Sequence, residues 1–263
     1  MNLPVEVIDA VRAGRCLVFV GSRFSSESRI DGGLAVMTGQ ELAKSMGWKK
    51  PKPRPGRAPV PVTPSVRDAG AMWERENGRA ALVEHLQASV GADEMEPTSS
   101  HRFIMGHFDM VFTTVWDDLF EKAAAQVGRT FVVVSPGEHV PEATPDNPVL
   151  VRLRGGFSDV PVVTRADEDK CSWDDDGRRR VREILRSHVV LFVGYRPDEE
   201  EFEALFEQLT DAYGASLPRC HLAVAQGKID DYQWQRWVWR GLLLFTADPE
   251  DCAEALEAAL ESC

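Results

Sequence analysis

Two apolar segments that end in small or hydroxyl-bearing residues constrain the fold of this chain most strongly. The first, Arg15–Val20, leads into Gly21–Ser25 (GSRFS), and the second, Met110–Thr114, leads into Val115–Asp118 (VWDD). Each has the pattern of a buried strand that opens a helix. In α/β proteins this geometry holds nucleotides, because the N–H groups of a helix N-terminus point at whatever lies beyond the strand tips.

Apolar strand patterns alternate with amphipathic helical patterns along the chain. The predicted strands are Arg15–Val20, Met110–Thr114, Thr130–Val134, Pro148–Leu153, Pro161–Thr164, His188–Val193, Cys220–Ala225 and Leu242–Phe245. The clearest helix is predicted over Asp198–Ala212, where apolar residues recur at helical spacing. Because this alternation is typical of parallel sheets covered on both faces, and crossovers are right-handed, the sequence predicts a Rossmann-like doubly wound, mainly parallel α/β sheet.

One stretch interrupts this alternation. Residues 38–106 carry mostly helical patterns and are too long for an ordinary loop. Within them, residues 49–64 combine closely spaced prolines with lysines and arginines, and proline removes backbone donors, so an extended loop is expected there. We therefore predict a single domain, 1–263, with a small helical insertion at 38–106 that includes the Pro-rich basic loop 49–64.

Composition excludes several classes of protein. The net charge of −12 gives a surface that repels phosphate backbones, which argues against nucleic acid as a partner. No apolar run approaches the roughly 20 residues of a membrane span, and the N-terminus lacks a secretion pattern. The cysteines form no Cys-x-x-Cys pair, which argues against a zinc ribbon and a disulfide framework. The expectation is a cytoplasmic protein with no metal.

Four stretches, in this order, resemble the bacterial sirtuin-like domain family: 17–25 (LVFVGSRFS), 108–121 (FDMVFTTVWDDLFE), 151–157 (VRLRGGF) and 191–202 (LFVGYRPDEEEF). The family usually shows a Gly-Ala-Gly-x-Ser loop, a Thr-Thr-Asn-Tyr-Asp segment, a Leu-His-Gly triplet and a Gly-Tyr-Ser turn followed by an acidic residue. The resemblance implies a sirtuin-type fold that binds NAD. The zinc module of protein-deacetylating sirtuins is missing from the sequence, so protein deacetylation is not expected.

The resemblance also implies which residues bind NAD or an ADP-ribose-type nucleotide. They are Gly21, Ser22, Arg23, Ser25, Thr114, Asp117, Gly194, Tyr195 and Arg196. Structural roles stay open for several of them: Ser25 and Asp117 as helix caps, and Gly194 as the residue that lets the chain leave a strand.

Arginine stands where the family has smaller residues. Arg23 replaces the second glycine of the loop, where its side chain either obstructs a pyrophosphate, binds one, or forms a surface salt bridge. Arg196 replaces the serine of the Gly-Tyr-Ser turn, whereas Glu199 keeps the charge of the family's aspartate. Because Arg23, Arg154 and Arg196 all follow predicted strands, the sequence predicts a basic pocket for an anionic ligand.

Both positions that carry sirtuin catalysis are altered. Val115 stands for the asparagine that positions ribose and water, and its isopropyl group makes no hydrogen bond. Arg154 stands for the general-base histidine, and a guanidinium does not release its proton at usable pH. The prediction is a catalytically degenerate protein that acts as a sensor or assembly component. By resemblance, its setting is bacterial antiphage defence.

Two alternatives stay open. A divergent NAD glycohydrolase would use a carboxylate from Asp109, Asp117 or Asp118 to stabilise an oxocarbenium ion, with His101 or His107 as a base unless these are cap or surface residues. An interaction protein with a decayed nucleotide site would bind a protein partner, or form a homo-oligomer, through the basic loop and an aromatic cluster. That cluster, which core packing would also explain, consists of Tyr232, Trp234, Trp237 and Trp239.

Overall fold

The computed structural model describes residues 3–25, 37–49, 65–90, 95–157, 161–171, 173–213, 220–224 and 229–261. Apart from Lys49, the Pro-rich basic loop predicted at 49–64 lies outside the described residues. No described helix combines the length and the apolar character that crossing a membrane requires.

Within the described residues, seven strands form one sheet in the order β3-β4-β2-β1-β5-β6-β7. They are β1 (Cys16–Val20), β2 (Met110–Thr113), β3 (Val132–Val134), β4 (Val149–Arg152), β5 (Val189–Val193), β6 (Cys220–Val224) and β7 (Leu242–Thr246). Every pair of neighbouring strands is parallel, which confirms the predicted Rossmann-like sheet.

The order of the strands creates one switch point. From β1 the chain first builds β2, β3 and β4 on one side, and then crosses over to build β5, β6 and β7 on the other. The direction therefore reverses between β1 and β5, which pair along their whole length. Ligands of open α/β sheets bind beyond the carboxyl ends of the strands near such a point.

The helices cover both faces of the sheet. They are α1 (Val5–Arg12), α2 (Gly39–Ser45), α3 (Val66–Asn77), α4 (Arg79–Val90), α5 (Ser99–His107), α6 (Leu119–Gln126), α7 (Arg165–Lys170), α8 (Asp175–Ser187), α9 (Glu200–Tyr213), α10 (Asp231–Trp239) and α11 (Pro249–Glu261). On one face, α1, α5, α6 and α11 pack against Val18 and Val20. On the other, α8, α9 and α10 pack against Leu17 and Phe19. Successive residues of β1 thus serve opposite cores, as strand geometry requires.

Helices α2, α3 and α4 form a third core of their own. Leu42, Leu82 and Leu86 are fully buried in it, together with Trp116 and Leu119 from the segment after β2. The helices of the predicted insertion therefore lie over the carboxyl edge of the sheet. Helix α5, the last helix within 38–106, packs on the sheet itself, and the bounds of the insertion remain a sequence prediction.

Two local predictions are wrong. Residues Pro161–Thr164 form no strand, because Thr164 instead caps α7 in a reciprocal capping box with Asp167. The second apolar segment does not open a helix directly, because Val115–Asp118 is a loop and the helix after β2 begins at Leu119.

The aromatic cluster divides between core and surface. Trp237 is fully buried against Phe202 and Phe206, with ring centroids 5.1 and 5.2 Å away, and its indole N–H donates to the Pro197 carbonyl. Tyr232 and Trp239 are 71% and 80% exposed. Core packing thus explains Trp237 but not these two residues.

Candidate functional site

A cavity of about 420 Å³ opens at the carboxyl ends of β2, β3 and β4, with α9 as its opposite wall. Thr114 and Arg154, two of the positions singled out in the sequence, line this cavity on the side of the strand ends. The polar side chains of its lining also include those of Ser135, Arg152, Glu168, Arg178, Glu201 and Gln208. The cavity therefore lies at the carboxyl edge of the sheet, beside the switch point between β1 and β5 rather than at it, and it offers both donors and acceptors.

Beyond Arg154 and Glu201 the cleft narrows to two spaces of about 20 and 30 Å³. Ser22, Thr114 and Asp117 are among the residues around the smaller space. The larger one lies between the insertion and the acidic residues Glu199–Glu201. The structure thus brings residues from the first two sequence motifs together, but in a narrow part of the cleft.

Arg152, the last residue of β4, holds together the loops beneath the site. The sequence analysis did not predict this role. Its side chain is only 4% exposed, and its guanidinium donates to the Asp117 carbonyl (2.7 Å) and to the Glu121 carboxylate (2.7 Å). Longer hydrogen bonds reach the carbonyls of Val115, Trp116 and Gly155. An arginine that ends an otherwise apolar buried strand (VLVR) is the signal that could have revealed it.

Arg154, which the resemblance aligns with the family's histidine, is held in place by its neighbours. Its guanidinium lies 3.8 Å from the Glu168 carboxylate and 5.9 Å from the centre of the Trp116 ring. The Trp116 indole N–H donates to the Arg154 carbonyl at 3.1 Å. Val115, which the resemblance aligns with the family's asparagine, is buried and contributes to the core that includes α5 and α6. Both altered residues are therefore packed into the structure.

Asp117 is a buried carboxylate at the edge of this site. Burial raises its pKa to about 6, although hydrogen bonds from the Ser25 hydroxyl and the Leu119 amide, and the nearby Arg152, act in the opposite direction. The Leu119 amide lies 3.2 Å from Oδ1. A carboxyl group whose pKa is near 6 can take or give a proton close to neutral pH.

Ser25 links Asp117 to a buried histidine. The Ser25 hydroxyl lies 3.3 Å from Nε2 of His101, whose Nδ1 accepts from the Thr98 backbone amide. Burial lowers the pKa of His101 to about 3, with a smaller contribution from Arg102. His101 is thus a neutral cap residue that positions Ser25, rather than an accessible base.

The other candidate acids and bases lie elsewhere. His107 and Asp109 line a separate cavity of about 300 Å³ at the amino-terminal edge of the sheet, and Asp109 pairs with Arg129 at 2.5 Å. Asp118 is half exposed and pairs with Lys122 on α6. Of the three aspartates proposed for a hydrolase, the structure brings only Asp117 to the cleft.

Gly21 and Gly194 bring the ends of β1 and β5 into very close contact. A Cβ atom at Gly21 would lie 2.5 Å from the Tyr195 ring. Gly194 has φ +75°, and a Cβ there would lie 2.7 Å from the Phe24 nitrogen. The amides of Gly21 and Arg23 donate to the carbonyls of Val193 and Gly194, respectively. Glycine is therefore required at both positions by the chain's own packing.

Tyr195 lies in the core beneath this contact. It is 1% exposed, and its hydroxyl donates to the Val20 carbonyl at 3.0 Å and lies 3.1 Å from the Thr114 hydroxyl. Burial raises the pKa of Tyr195 well above its usual value. A role of Tyr195 in nucleotide binding stays a prediction, and in this structure its hydroxyl serves the chain itself.

The prediction that Arg23, Arg154 and Arg196 together form one basic pocket is wrong. Arg23 donates through Nε and Nη2 to one oxygen of Glu199, at 2.9 and 2.7 Å. Arg196 makes a two-pronged pair with Asp198, at 2.8 and 3.1 Å. Only Arg154 of the three arginines lines the 420 Å³ cavity. The acidic run before and at the start of α9 supplies the carboxylates that neutralise Arg23 and Arg196.

No group of three or more His, Cys, Asp or Glu side chains within the described ranges is arranged to hold a metal ion.

A sequence profile described as the SIR2-like domain matches residues 109–242, more than half of the chain, from just before β2 to the start of β7. No curated protein sequence matches the chain.

Among solved structures, the chain is similar to a Sir2 homologue in complex with NAD, at 12% identity and a TM-score of 0.48, over 99% of this chain and 94% of that one. It is also similar to a His-to-Asn mutant of a Sir2 homologue bound to ADP-ribose, at 13% identity and a TM-score of 0.47. That match covers 98% of this chain and 96% of the other. A third similar structure, from work on the mechanism and regulation of Sir2 enzymes, shares 12% identity at a TM-score of 0.45. That match covers 98% of this chain and 97% of the other.

Replacing Arg152 will destabilise the whole protein. Arg152→Met leaves the Glu121 carboxylate and several loop carbonyls without their donor, so the free energy of unfolding should fall by about 3–5 kcal/mol. The matched control is Arg179→Met, because the Arg179 side chain is 66% exposed and pairs with Asp176 at the surface. This variant should change the free energy of unfolding by less than about 0.5 kcal/mol. Urea unfolding measures both, and an equal effect of the two variants would contradict the role assigned to Arg152.

Asp117 should make the stability pH-dependent in a definite direction. Because its folded pKa lies above the ordinary 3.8, the native state holds the proton more tightly, and stability falls as pH rises from about 4 to about 6. Asp117→Asn removes this loss, so the variant should gain up to about 3 kcal/mol relative to wild type between pH 4 and pH 7. Urea unfolding across this range tests it, and a constant difference between the two proteins would contradict the raised pKa.

Proposed function

The chain belongs to the SIR2-like domain family, and from this premise we propose that it binds NAD or an ADP-ribose-type nucleotide without cleaving it efficiently. The observation that carries the proposal is the 420 Å³ cavity, whose wall contains Thr114 and Arg154. It opens where parallel α/β sheets bind their ligands, beyond the carboxyl ends of the strands.

The groups around the cavity suit a phosphorylated ribose. Carboxylates such as those of Glu168 and Glu201 accept hydrogen bonds from ribose hydroxyls, and the Thr114 hydroxyl can either donate or accept. The guanidinium groups of Arg154 and Arg178 are donors that match phosphate oxygens. The residues present therefore fit a nucleotide of this class.

Weak catalysis follows from what occupies the two family positions. A guanidinium does not release its proton at usable pH, so Arg154 cannot act as a general base. Val115 offers no hydrogen bond to ribose or to water. Losing one positioned acid–base group typically costs about 10²–10⁴ in rate. Such a protein would act as a nucleotide sensor or assembly component, and its resemblance to bacterial sirtuin-like proteins suggests a setting in antiphage defence.

One observation favours a second candidate, a divergent NAD glycohydrolase. Asp117, with its pKa raised to about 6, borders the same narrow space as Thr114 and Arg154. A carboxylate there would stabilise the oxocarbenium ion that forms when an N-glycosidic bond breaks. A third candidate, an interaction protein, is supported only by the exposed Tyr232 and Trp239.

Ligand-observed NMR with NAD separates these candidates. We expect saturation transfer to the adenine protons and no nicotinamide release over several hours. Ala204→Trp, which fills the cavity from α9, should abolish the transfer, whereas Ala258→Trp, on the exposed side of α11, should preserve it.

Two other results would contradict nucleotide binding without cleavage. Nicotinamide release above a heat-denatured control, abolished by Asp117→Asn, would establish the hydrolase. Absence of both signals in the wild type would refute nucleotide binding and favour the interaction protein.

Restoring the family residues should create activity. We expect Val115→Asn combined with Arg154→His to raise nicotinamide release by about 10²-fold or more, because it supplies the missing hydrogen-bonding group and base. Each single variant should gain far less. Thermal unfolding checks that the buried asparagine is tolerated. A folded double variant that binds NAD but releases no nicotinamide would contradict the hypothesis that the protein is a catalytically degenerate enzyme.

A further inference from the structure

Three consecutive acidic residues at the start of α9 each contact a different part of the site. Glu199 pairs with Arg23, which follows β1, and Glu200 pairs with Arg67 of α3 in the insertion. Glu201 accepts a hydrogen bond from the Ser22 hydroxyl at 3.4 Å. Together these contacts close the narrow part of the cleft between α9, the loop after β1 and the insertion.

Glu199 is bound as a small anion would be. Its side chain is 9% exposed, and one of its oxygens accepts two hydrogen bonds from Arg23. The amide nitrogen of Gln40, from α2, lies 3.5 Å from the same oxygen. Burial raises the pKa of Glu199, and the neighbouring Arg23 counteracts this. Donors from two separate segments thus converge on a buried, negatively charged oxygen.

Arg67 is arranged in a comparable way. It pairs with Glu200 and lies 3.5 Å from Glu168, which also lies 3.8 Å from Arg154. The ion pairs therefore run from the narrow space to the wall of the 420 Å³ cavity. Arg67 was not singled out in the sequence, because nothing in α3 alone shows that it reaches this cleft.

The charges in the narrow part of the cleft disfavour binding of an anion as long as the carboxylates of Glu199 and Glu200 stay in place. The guanidinium groups of Arg23, Arg67 and Arg154 are balanced by Glu168, Glu199 and Glu200, and Glu201 adds a further negative charge. A phosphate that entered would meet like charge at short range. If Glu199 and Glu200 withdrew, the same cleft would carry an excess of positive charge.

We infer that Arg23 and Arg67 form a phosphate-binding subsite, which the carboxylates of Glu199 and Glu200 fill while no nucleotide is bound. The inference rests on the proposed function and adds its regulation. The phosphates of the ligand displace the two carboxylates, and the start of α9 then separates from the insertion. Affinity is reduced by the fraction of molecules in which the carboxylates occupy the subsite.

Calorimetric titration with ADP-ribose tests this exchange. Glu199→Gln with Glu200→Gln should tighten binding by about 10-fold, because the competing charges are removed. The matched control on the same helix is Glu203→Gln with Glu207→Gln, whose partners Arg236 and Arg240 lie outside the cleft, and it should change affinity less than about twofold. Arg23→Gln with Arg67→Gln should weaken binding, although it breaks the same ion pairs.

Hydrogen exchange of the α3 amides supplies a readout that does not need a ligand. Exchange should be faster in the Glu199/Glu200 variant than in the Glu203/Glu207 control. If exchange is unchanged, or if both cleft variants weaken ADP-ribose binding, the pairs are structural and the inference is wrong while nucleotide binding stands. If exchange accelerates but neither wild type nor variant binds ADP-ribose, the proposed function fails, and the subsite with it.

Discussion

The guanidinium of Arg152 joins two loops that the sheet itself leaves unconnected at their ends. Parallel strands align β2 with β4, but the chain beyond each strand runs separately into its own helix. Arg152 donates to backbone carbonyls on both sides, at Asp117 and at Gly155, and its charge is offset by Glu121. Because Asp117 and Arg154 lie within these loops, the geometry of the cleft depends on one buried cation.

The sequence predicted what is local and periodic, and missed what depends on distant partners. Strands such as β1 and β5 are uniformly apolar because both of their faces are buried, so their positions and the parallel sheet were readable. The pairing of Arg23 with Glu199 joins residues 176 positions apart, and no periodicity encodes it. Pro161–Thr164 resembled a strand because a short apolar run cannot be distinguished from an extended segment before a helix cap.

Three residues that the resemblance marks as departures from the sirtuin pattern have partners in the structure. Val115 completes a core, Arg154 lies beside Trp116 and Glu168, and Arg23 is matched by Glu199. An unpaired buried charge would cost several kcal/mol, so Arg154, whose side chain is 14% exposed, would be destabilising without its neighbours. The site is therefore a consistent rearrangement with its own charge balance, and its chemistry has to be argued from the residues that it contains.

The contact between Gly21 and Gly194 limits how this edge of the sheet can change. A side chain at either glycine would collide with the opposite segment, and the positive φ of Gly194 adds backbone strain that no change at Gly21 could relieve. The backbone path at the switch point is thus fixed by sterics, independently of any ligand. Changes in chemistry therefore have to come from side chains outside this contact, such as Arg23, Val115 and Arg154. Such substitutions can change or remove a reaction while the main chain keeps its path.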